Sequence, residues 1–450
     1  MSLVKVNGCE CKAGFGVQVE FGKEMRKKHF LFDDGYINLN QGSFGSHPRF
    51  VRDALRSFQD EAEAKPDNFI RYDYPDRLNE IRATLGKILN AATDELVIVP
   101  NATIGINTVL RNFSFRDGDK IVYLSTIYGA IEKTLQYLAE STPVTIIEFK
   151  ITLPMSDDDL AEGFRAVLKE HGSSVRVALF DTIVSMPGVK LPYEKLTQIC
   201  RENGVFSLVD GAHGIGQIPL DLSAFQPDFL VTNCHKWLFV PRTASVFYVP
   251  FRNQHMMRST LPTSHGFVPL EVKGKRKIFN PLPPSKSNNV FVSQFEYTGT
   301  IDNAPPLCIP AALKFRDEVC GGEERIRAYR FELAEKGEQK IAEILGTESL
   351  AVSKASRIGF ANIWLPLQAE TAGEQPAEGL IPIEDISAVT NFLTEELLEK
   401  YNCYIAILFY RGGWIARFSA EIYLDLDDFI YGAEALKELC ERAKQLDYKS

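Results

Sequence analysis

The feature that most constrains this chain is an alternation. Short apolar runs at 96–100, 120–125, 144–149, 175–182, 205–210, 228–232 and 244–250 are mostly separated by stretches of helical pattern, such as 160–171 and 193–203. Several runs are apolar on both faces, as strands are when helices cover each side of a sheet. Helices between consecutive strands give right-handed crossovers and parallel pairing. The expected fold class is therefore α/β, with a mainly parallel seven-stranded sheet flanked by helices. One connection differs. Only about a dozen residues, Pro241 among them, lie between the last two runs. No crossover helix fits there, so the last strand is predicted to run antiparallel to its neighbour.

The pattern changes after residue 305. Long helices at 306–319, 322–345, 384–401 and 428–446 alternate with fewer strands, near 358–366 and 413–424. This reads as a large domain over 36–305 and a smaller α+β domain over 306–450. Residues 1–35 form a polar arm expected to pack with the small domain. Two stretches, 268–290 and 368–382, read as surface loops or lids from their Pro, Gly and charged content.

Composition excludes several function classes. A net charge of −9 argues against an electrostatic nucleic-acid binder. The one basic run, Lys273-Gly274-Lys275-Arg276-Lys277, is short and reads as a solvated loop. There is no apolar run of membrane-spanning length and no signal-like core at the start, so a cytoplasmic protein is expected. Eight cysteines scattered over 450 residues do not form a disulfide framework. Cys9-Glu10-Cys11 is their only close pair, and no metal site is expected. Neither of the two common glycine-rich nucleotide-binding motifs occurs, which weakens a non-enzymatic nucleotide-like binder on the same sheet.

The strongest chemical signal is Asp210-Gly211-Ala212-His213 at the end of one strand, followed by Asn233-Cys234-His235-Lys236 at the end of the next. Groups at the carboxyl ends of such strands converge on one crevice. An amine and a carboxylate that face each other there suit pyridoxal phosphate (PLP): the lysine binds its aldehyde as a Schiff base, and the carboxylate keeps the ring nitrogen protonated. The phosphate needs N–H donors at a helix start. Thr103, in Asn101-Ala102-Thr103 before a helical stretch, is expected to cap that helix and donate to phosphate. Tyr128 follows another strand and can stack on the ring. His213 can reach the ring hydroxyl, and His235 the phosphate. Arg417, in the apolar strand Ala416-Arg417-Phe418-Ser419-Ala420, has two readings: a buried ion pair, or a grip on a substrate carboxylate.

Together these residues resemble fold-type I PLP enzymes of aminotransferase class V, a family that includes cysteine desulfurases and isopenicillin N epimerase. The resemblance runs from the 38–45 segment, Asn-Leu-Asn-Gln-Gly-Ser-Phe-Gly, to Arg417-Phe418-Ser419-Ala420-Glu421-Ile422-Tyr423. It implies Lys236 as Schiff-base lysine and proton shuttle, Asp210 at the ring nitrogen and His213 near the ring hydroxyl. It also implies Ala102, Thr103, Asn233 and His235 around the phosphate, and Arg417 with Asn40 at the substrate carboxylate. Tyr297-Thr298-Gly299-Thr300 resembles the segment that reaches a neighbouring subunit's phosphate. A homodimer with shared sites follows, with Thr300 donating in trans.

Departures from the family limit the chemistry. Cysteine desulfurases place a histidine where this chain has Tyr128, and a nucleophilic cysteine shortly before the carboxylate arginine. Here that region reads Phe409-Tyr410-Arg411-Gly412-Gly413-Trp414. Ser185 stands where many members have an asparagine beside the ring. A more detailed likeness is to fungal members, carried by Thr126-Ile127-Tyr128-Gly129-Ala130 and Leu261-Pro262-Thr263-Ser264-His265-Gly266-Phe267. Two activities occur among such relatives: a C–S lyase acting on hercynylcysteine sulfoxide in ergothioneine formation, and loline-pathway chemistry on amino acids. The 38–45 segment and Phe69-Ile70-Arg71-Tyr72 look more like the lyase. The implied reaction is β-elimination on an amino-acid substrate, with Tyr128 as candidate acid for the leaving sulfur and Arg71 or Arg411 at the substrate's second polar end. The alternatives are γ-substitution, decarboxylative ring formation and epimerisation.

Overall fold

A computed structural model describes residues 19–270, 279–350, 353–370 and 379–449. Cys9-Glu10-Cys11 and the basic run 273–277 lie outside them. Twelve strands appear among the described residues: β1 (Ile37–Asn38), β2 (Leu96–Val99), β3 (Lys120–Leu124), β4 (Thr145–Phe149), β5 (Val175–Asp181), β6 (Phe206–Asp210), β7 (Phe229–Asn233), β8 (Ser245–Tyr248), β9 (Phe360–Gln368), β10 (Cys403–Tyr404), β11 (Ala406–Tyr410) and β12 (Gly413–Ser419).

Seven of them form one sheet in the order β2-β8-β7-β6-β5-β3-β4. The pairs β3–β4, β3–β5, β5–β6 and β6–β7 are parallel. As the short connection predicted, β8 is antiparallel to β7, and it is antiparallel to β2 as well. Two reversals return β2 to the direction of β7. The carboxyl ends of β2, β3, β5, β6 and β7 therefore open on one edge of the sheet.

Both faces of this sheet are buried, and alternate residues feed different cores. Val122, Ala178, Phe180, Val209 and Leu230 pack into one cluster. Ile121, Val177, Leu179, Leu208, Phe229 and Val231 pack into the other. That division is why the strands read as continuous apolar runs. Their helices run between them as expected, for example Asp157–His171 and Tyr193–Glu202.

A second, antiparallel sheet β11-β12-β9 carries helices Glu323–Leu345, Ile386–Glu399 and Leu426–Lys444 around its own core. Two expectations shift here. β11 was not anticipated as a strand, because its residues are only half-buried and show no alternation. Residues 306–314, expected in the smaller domain, place Leu307, Cys308, Ile309 and Ala312 in the large-domain cluster.

The N-terminal segment packs with the small domain. Met25 and Phe30 enter the small-domain core, Arg26 pairs with Asp428 at 2.8 Å, and β1 runs parallel to β10. Among the described residues, no helix is long and apolar enough to cross a membrane.

Candidate active site

Lys236 leaves β7 on a single helical turn, Cys234–Trp237. Its Nζ lies 3.0 Å from His213 Nε2. His213 reaches it from the turn after β6, where Asp210 is 3% exposed and accepts the Ala212 N–H at 2.9 Å. Burial pushes the Asp210 carboxyl above its usual range, although Ala212 and Lys236 pull the other way. Burial, with the nearby Arg417 guanidinium, lowers the Lys236 amine to about 8, despite Asp210 and Asp181. His213 is held well below its ordinary value, chiefly by burial and then by Lys236 and Arg417, so it stays neutral.

Asp181 was missed by sequence reading. It ends β5 opposite Asp210 in the parallel register, and is 3% exposed. One of its carboxyl oxygens is buried with no hydrogen-bond partner. Burial, then the Asp210 charge, pushes its proton affinity well up. The available signal was an acidic residue closing the apolar run Val177-Ala178-Leu179-Phe180.

The helix Ala102–Asn112 starts just beyond β2, on the same edge. Its cap is not Thr103. Asn101 fills that position, accepting the Ile104 N–H at 2.9 Å, because only a residue still in extended backbone can turn its side chain back onto the first turn. The Thr103 hydroxyl is left out of the cap. Ala102 N–H is bound to Asn233 Oδ1 at 2.9 Å, which anchors the helix start to the end of β7. His235 Nδ1 is buried without a partner, and burial lowers that imidazole to about 4.

Arg417 is 1% exposed on β12. It donates to Ser185 O at 2.5 Å, Asn40 Oδ1 at 2.8 Å and Ser43 Oγ at 3.2 Å, and lies over the Phe360 ring. None of these partners is a carboxylate, and its Nε has no partner at all. Burial lowers its proton affinity, to about 10. Among the described residues no carboxylate pairs with it, so the ion-pair reading fails and a buried cation is left without a counter-charge.

The 38–45 segment brings Arg417 and Lys236 together. Gln41 donates to Lys236 O at 2.7 Å and accepts from Tyr423 at 2.9 Å. Gly45, at φ 69°, lies so close that an added Cβ would sit 1.7 Å from His235 O.

Other expected residues are placed differently. Tyr128 precedes the helix Gly129–Ser141 and is 52% exposed. Arg71 lies in a wide helical turn, Phe69–Asp73, and binds Asp67 at 2.9 Å and Pro281 O at 2.6 Å. Arg411 occupies the exposed hairpin turn between β11 and β12, at φ 50°, and is not brought to Arg417 at the other end of β12. Thr300 is exposed, and its hydroxyl lies 2.9 Å from that of Tyr297.

The site thus combines a lysine amine with two buried carboxyls, a neutral histidine and a helix start with an unused hydroxyl. An orphaned imidazole nitrogen and an unpaired guanidinium complete it. These donors fit PLP: an amine for its aldehyde, a carboxyl for its ring nitrogen and polar hydrogens for its phosphate.

A family model, aminotransferase class V, matches residues 70–363. The chain belongs to aminotransferase class V. As a class V member it is a PLP-dependent enzyme. It is 40% identical over 440 residues to an L-cysteine desulfhydrase-like protein of Epichloe uncinata, lolT1, covering 94% of this chain and 97% of the relative. It is 30% identical to the hercynylcysteine sulfoxide lyase of Schizosaccharomyces pombe, covering 93% and 98%. Among solved structures, a cystine C–S lyase in complex with cysteine persulfide superposes with a TM-score of 0.70. Identity there is 19%, over 90% of this chain and 98% of that one. That likeness establishes the fold: a fold-type I enzyme with a large mixed sheet and a smaller C-terminal sheet domain.

Proposed function

We propose that this enzyme is a carbon–sulfur lyase that cleaves a cysteine conjugate, a sulfoxide among them, by β-elimination. From a thioether conjugate the products would be a thiol, pyruvate and ammonia. From a sulfoxide the sulfur would leave as a sulfenic acid, which a thiol reductant in solution would reduce to a sulfur compound such as ergothioneine, beside the same pyruvate and ammonia. The observation that carries this reading is Arg417, a buried guanidinium with no counter-charge beside a lysine amine. A cation in that state is stabilised when a carboxylate arrives, which selects an amino-acid substrate. The elimination itself is supported by full-length relatives named for desulfhydration and sulfoxide cleavage.

When bound, PLP supplies an electron sink for charge that develops at the substrate's Cα. This chain supplies the rest. Arg417, steadied by Asn40, holds the carboxylate. Lys236, whose amine is lowered to about 8, takes the Cα proton near neutral pH. Asp210 would hold the ring nitrogen, and neutral His213 the ring hydroxyl. Ala102, Thr103, Asn233 and His235 would hold the phosphate. Tyr128 protonates the departing sulfur or covers the ring. Arg71 is the favoured contact for the substrate's far polar end.

No protein thiol is poised to take the sulfur among the described residues. All six described cysteines are buried. Burial raises the Cys234 and Cys403 thiols to about 12. In this reading the sulfur leaves with its own substituent rather than on a protein thiol.

Thr300 would serve a second copy's phosphate in a homodimer. Its neighbourhood in the chain supports assembly: Phe267, Val268, Leu270, Phe279, Val290 and Ile301 are all large, apolar and exposed.

Incubation of the holoenzyme with hercynylcysteine sulfoxide in excess thiol reductant, and separately with cysteine, tests the reading. Ergothioneine or sulfide should appear with an equal amount of pyruvate. Recovery of an inverted amino acid, or of a condensed or decarboxylated product without pyruvate, would replace it with the epimerase or the γ-substitution alternative.

A further inference from the structure

Trp237 follows Lys236 directly and is fully buried. Its indole Nε1–H donates to His213 Nδ1 at 3.2 Å. An indole nitrogen can only donate, so Nδ1 must offer its lone pair. His213 is neutral, and its single ring proton is therefore on Nε2. That nitrogen is the one 3.0 Å from Lys236 Nζ. An Nε2–H can donate to the lone pair of an uncharged amine. Facing an ammonium group, it would set donor against donor.

The indole is itself clamped. Arg330 lies over it at 5.3 Å and is paired with Glu421, both 0% exposed. Phe360 meets it edge-on at 5.2 Å. Arg316 binds Trp237 O at 2.8 Å, while Arg316 and Arg330 both bind Gly216 O. The small domain thereby holds the ring that orients His213.

We propose that Trp237 fixes His213 as its Nε2–H tautomer and so favours the uncharged amine of Lys236, making Trp237 a positioning residue for the reactive lysine. The other titratable groups around that amine are Asp210, Asp181, Arg417 and His235. Both carboxyls favour the ammonium form. Arg417 opposes it, and so does the tautomer set by Trp237. This inference rests on reading Lys236 as the reactive amine.

The test is the pH profile of Lys236 labelling by an amine-specific reagent in the full-length apoprotein, read by mass spectrometry of its peptide. Trp237→Phe keeps the ring against Arg330 and Phe360 but removes the N–H. His213 can then move its proton to Nδ1 and accept from an ammonium. The labelling midpoint should rise by about one pH unit, which is about ten-fold less labelling near neutrality. In a His213→Gln background the same change should shift nothing. An unchanged midpoint in Trp237→Phe overturns the proposal. Should that variant fail to fold, long-range nitrogen–proton NMR of the wild-type apoprotein decides: a His213 proton on Nε2 is expected, and one on Nδ1 overturns it. Failure of the lyase assay leaves this profile unaffected, so the two readings fail separately.

Discussion

Asp181 and Asp210 stand opposite one another in the register of adjacent parallel strands, and each residue is 3% exposed. Two carboxyls withdrawn from water side by side cannot both ionise cheaply. Each is held above its ordinary range, mainly by burial. The sign follows from linkage. A carboxyl with a raised folded-state value supports folding while protonated, and loses that support as pH climbs from the usual carboxylate range through the folded value. Asp181→Asn removes the titration and keeps the shape. In thermal melts of the apoprotein, the variant should match the wild type near pH 4 and exceed it near pH 8. Equal melting temperatures across that range would refute the assignment of Asp181 as a neutral acid.

Arg417 separates binding from stability. Replacing a buried guanidinium that holds a substrate carboxylate costs about 2–5 kcal/mol. Arg417→Met should therefore lower kcat/KM by at least about 30-fold, with much of the loss in KM. No ion pair breaks in the free protein, and an unpaired buried charge disappears, so its denaturation midpoint should hold or rise. A clear fall in the midpoint would mean that Arg417 is a structural residue.

Lys236 titrates in an accessible range. Its lowered folded-state value makes stability rise with pH from about 8 toward the ordinary lysine range, because only the unfolded chain holds that proton there. Cofactor uptake by the apoprotein needs the uncharged amine, so the reconstitution rate should climb up to about pH 8 and then level off. Lys236→Ala should lose the cofactor's visible absorption after gel filtration, whereas wild type keeps it. Retention of that absorption by the variant would move the covalent attachment elsewhere.

Gly45 is a steric prediction. Alanine there pays for a backbone conformation essentially confined to glycine, φ 69° and ψ 164°, about 1–3 kcal/mol, and drives a Cβ into His235 O. Gly45→Ala should destabilise by more than about 2 kcal/mol and weaken cofactor retention, because the 41–45 turn must lift away from Lys236. Urea denaturation and dialysis against free cofactor would show both effects.

Thr300→Val removes one hydroxyl. With Thr300 donating across a dimer, cofactor affinity should fall by about 1 kcal/mol, roughly five-fold. The change should leave the monomer–dimer equilibrium in analytical ultracentrifugation untouched. Unaltered affinity would remove Thr300 from the phosphate site.

Much of this protein is written locally. The seven strands of the main sheet and the antiparallel entry of β8 follow from the length of apolar runs and of the spacers between them, because backbone period and reach are local properties. Asp210 and Lys236 were legible for the same reason: each closes an apolar run, and the carboxyl ends of parallel strands must share one edge. Tertiary structure decided what depends on contacts between distant segments. Asp181 became a partner of Asp210 only through the β5–β6 register. Arg417 lost its ion-pair reading only when its partners proved to be Asn40, Ser43 and Ser185, hundreds of residues away in sequence. Asn101 took the cap from Thr103 through one backbone dihedral, and Arg411 fell on a turn because β11 pairs with β12. Sequence spacing carries periodicity and chain reach, but the free energy of a buried charge is set by whichever groups the fold brings against it.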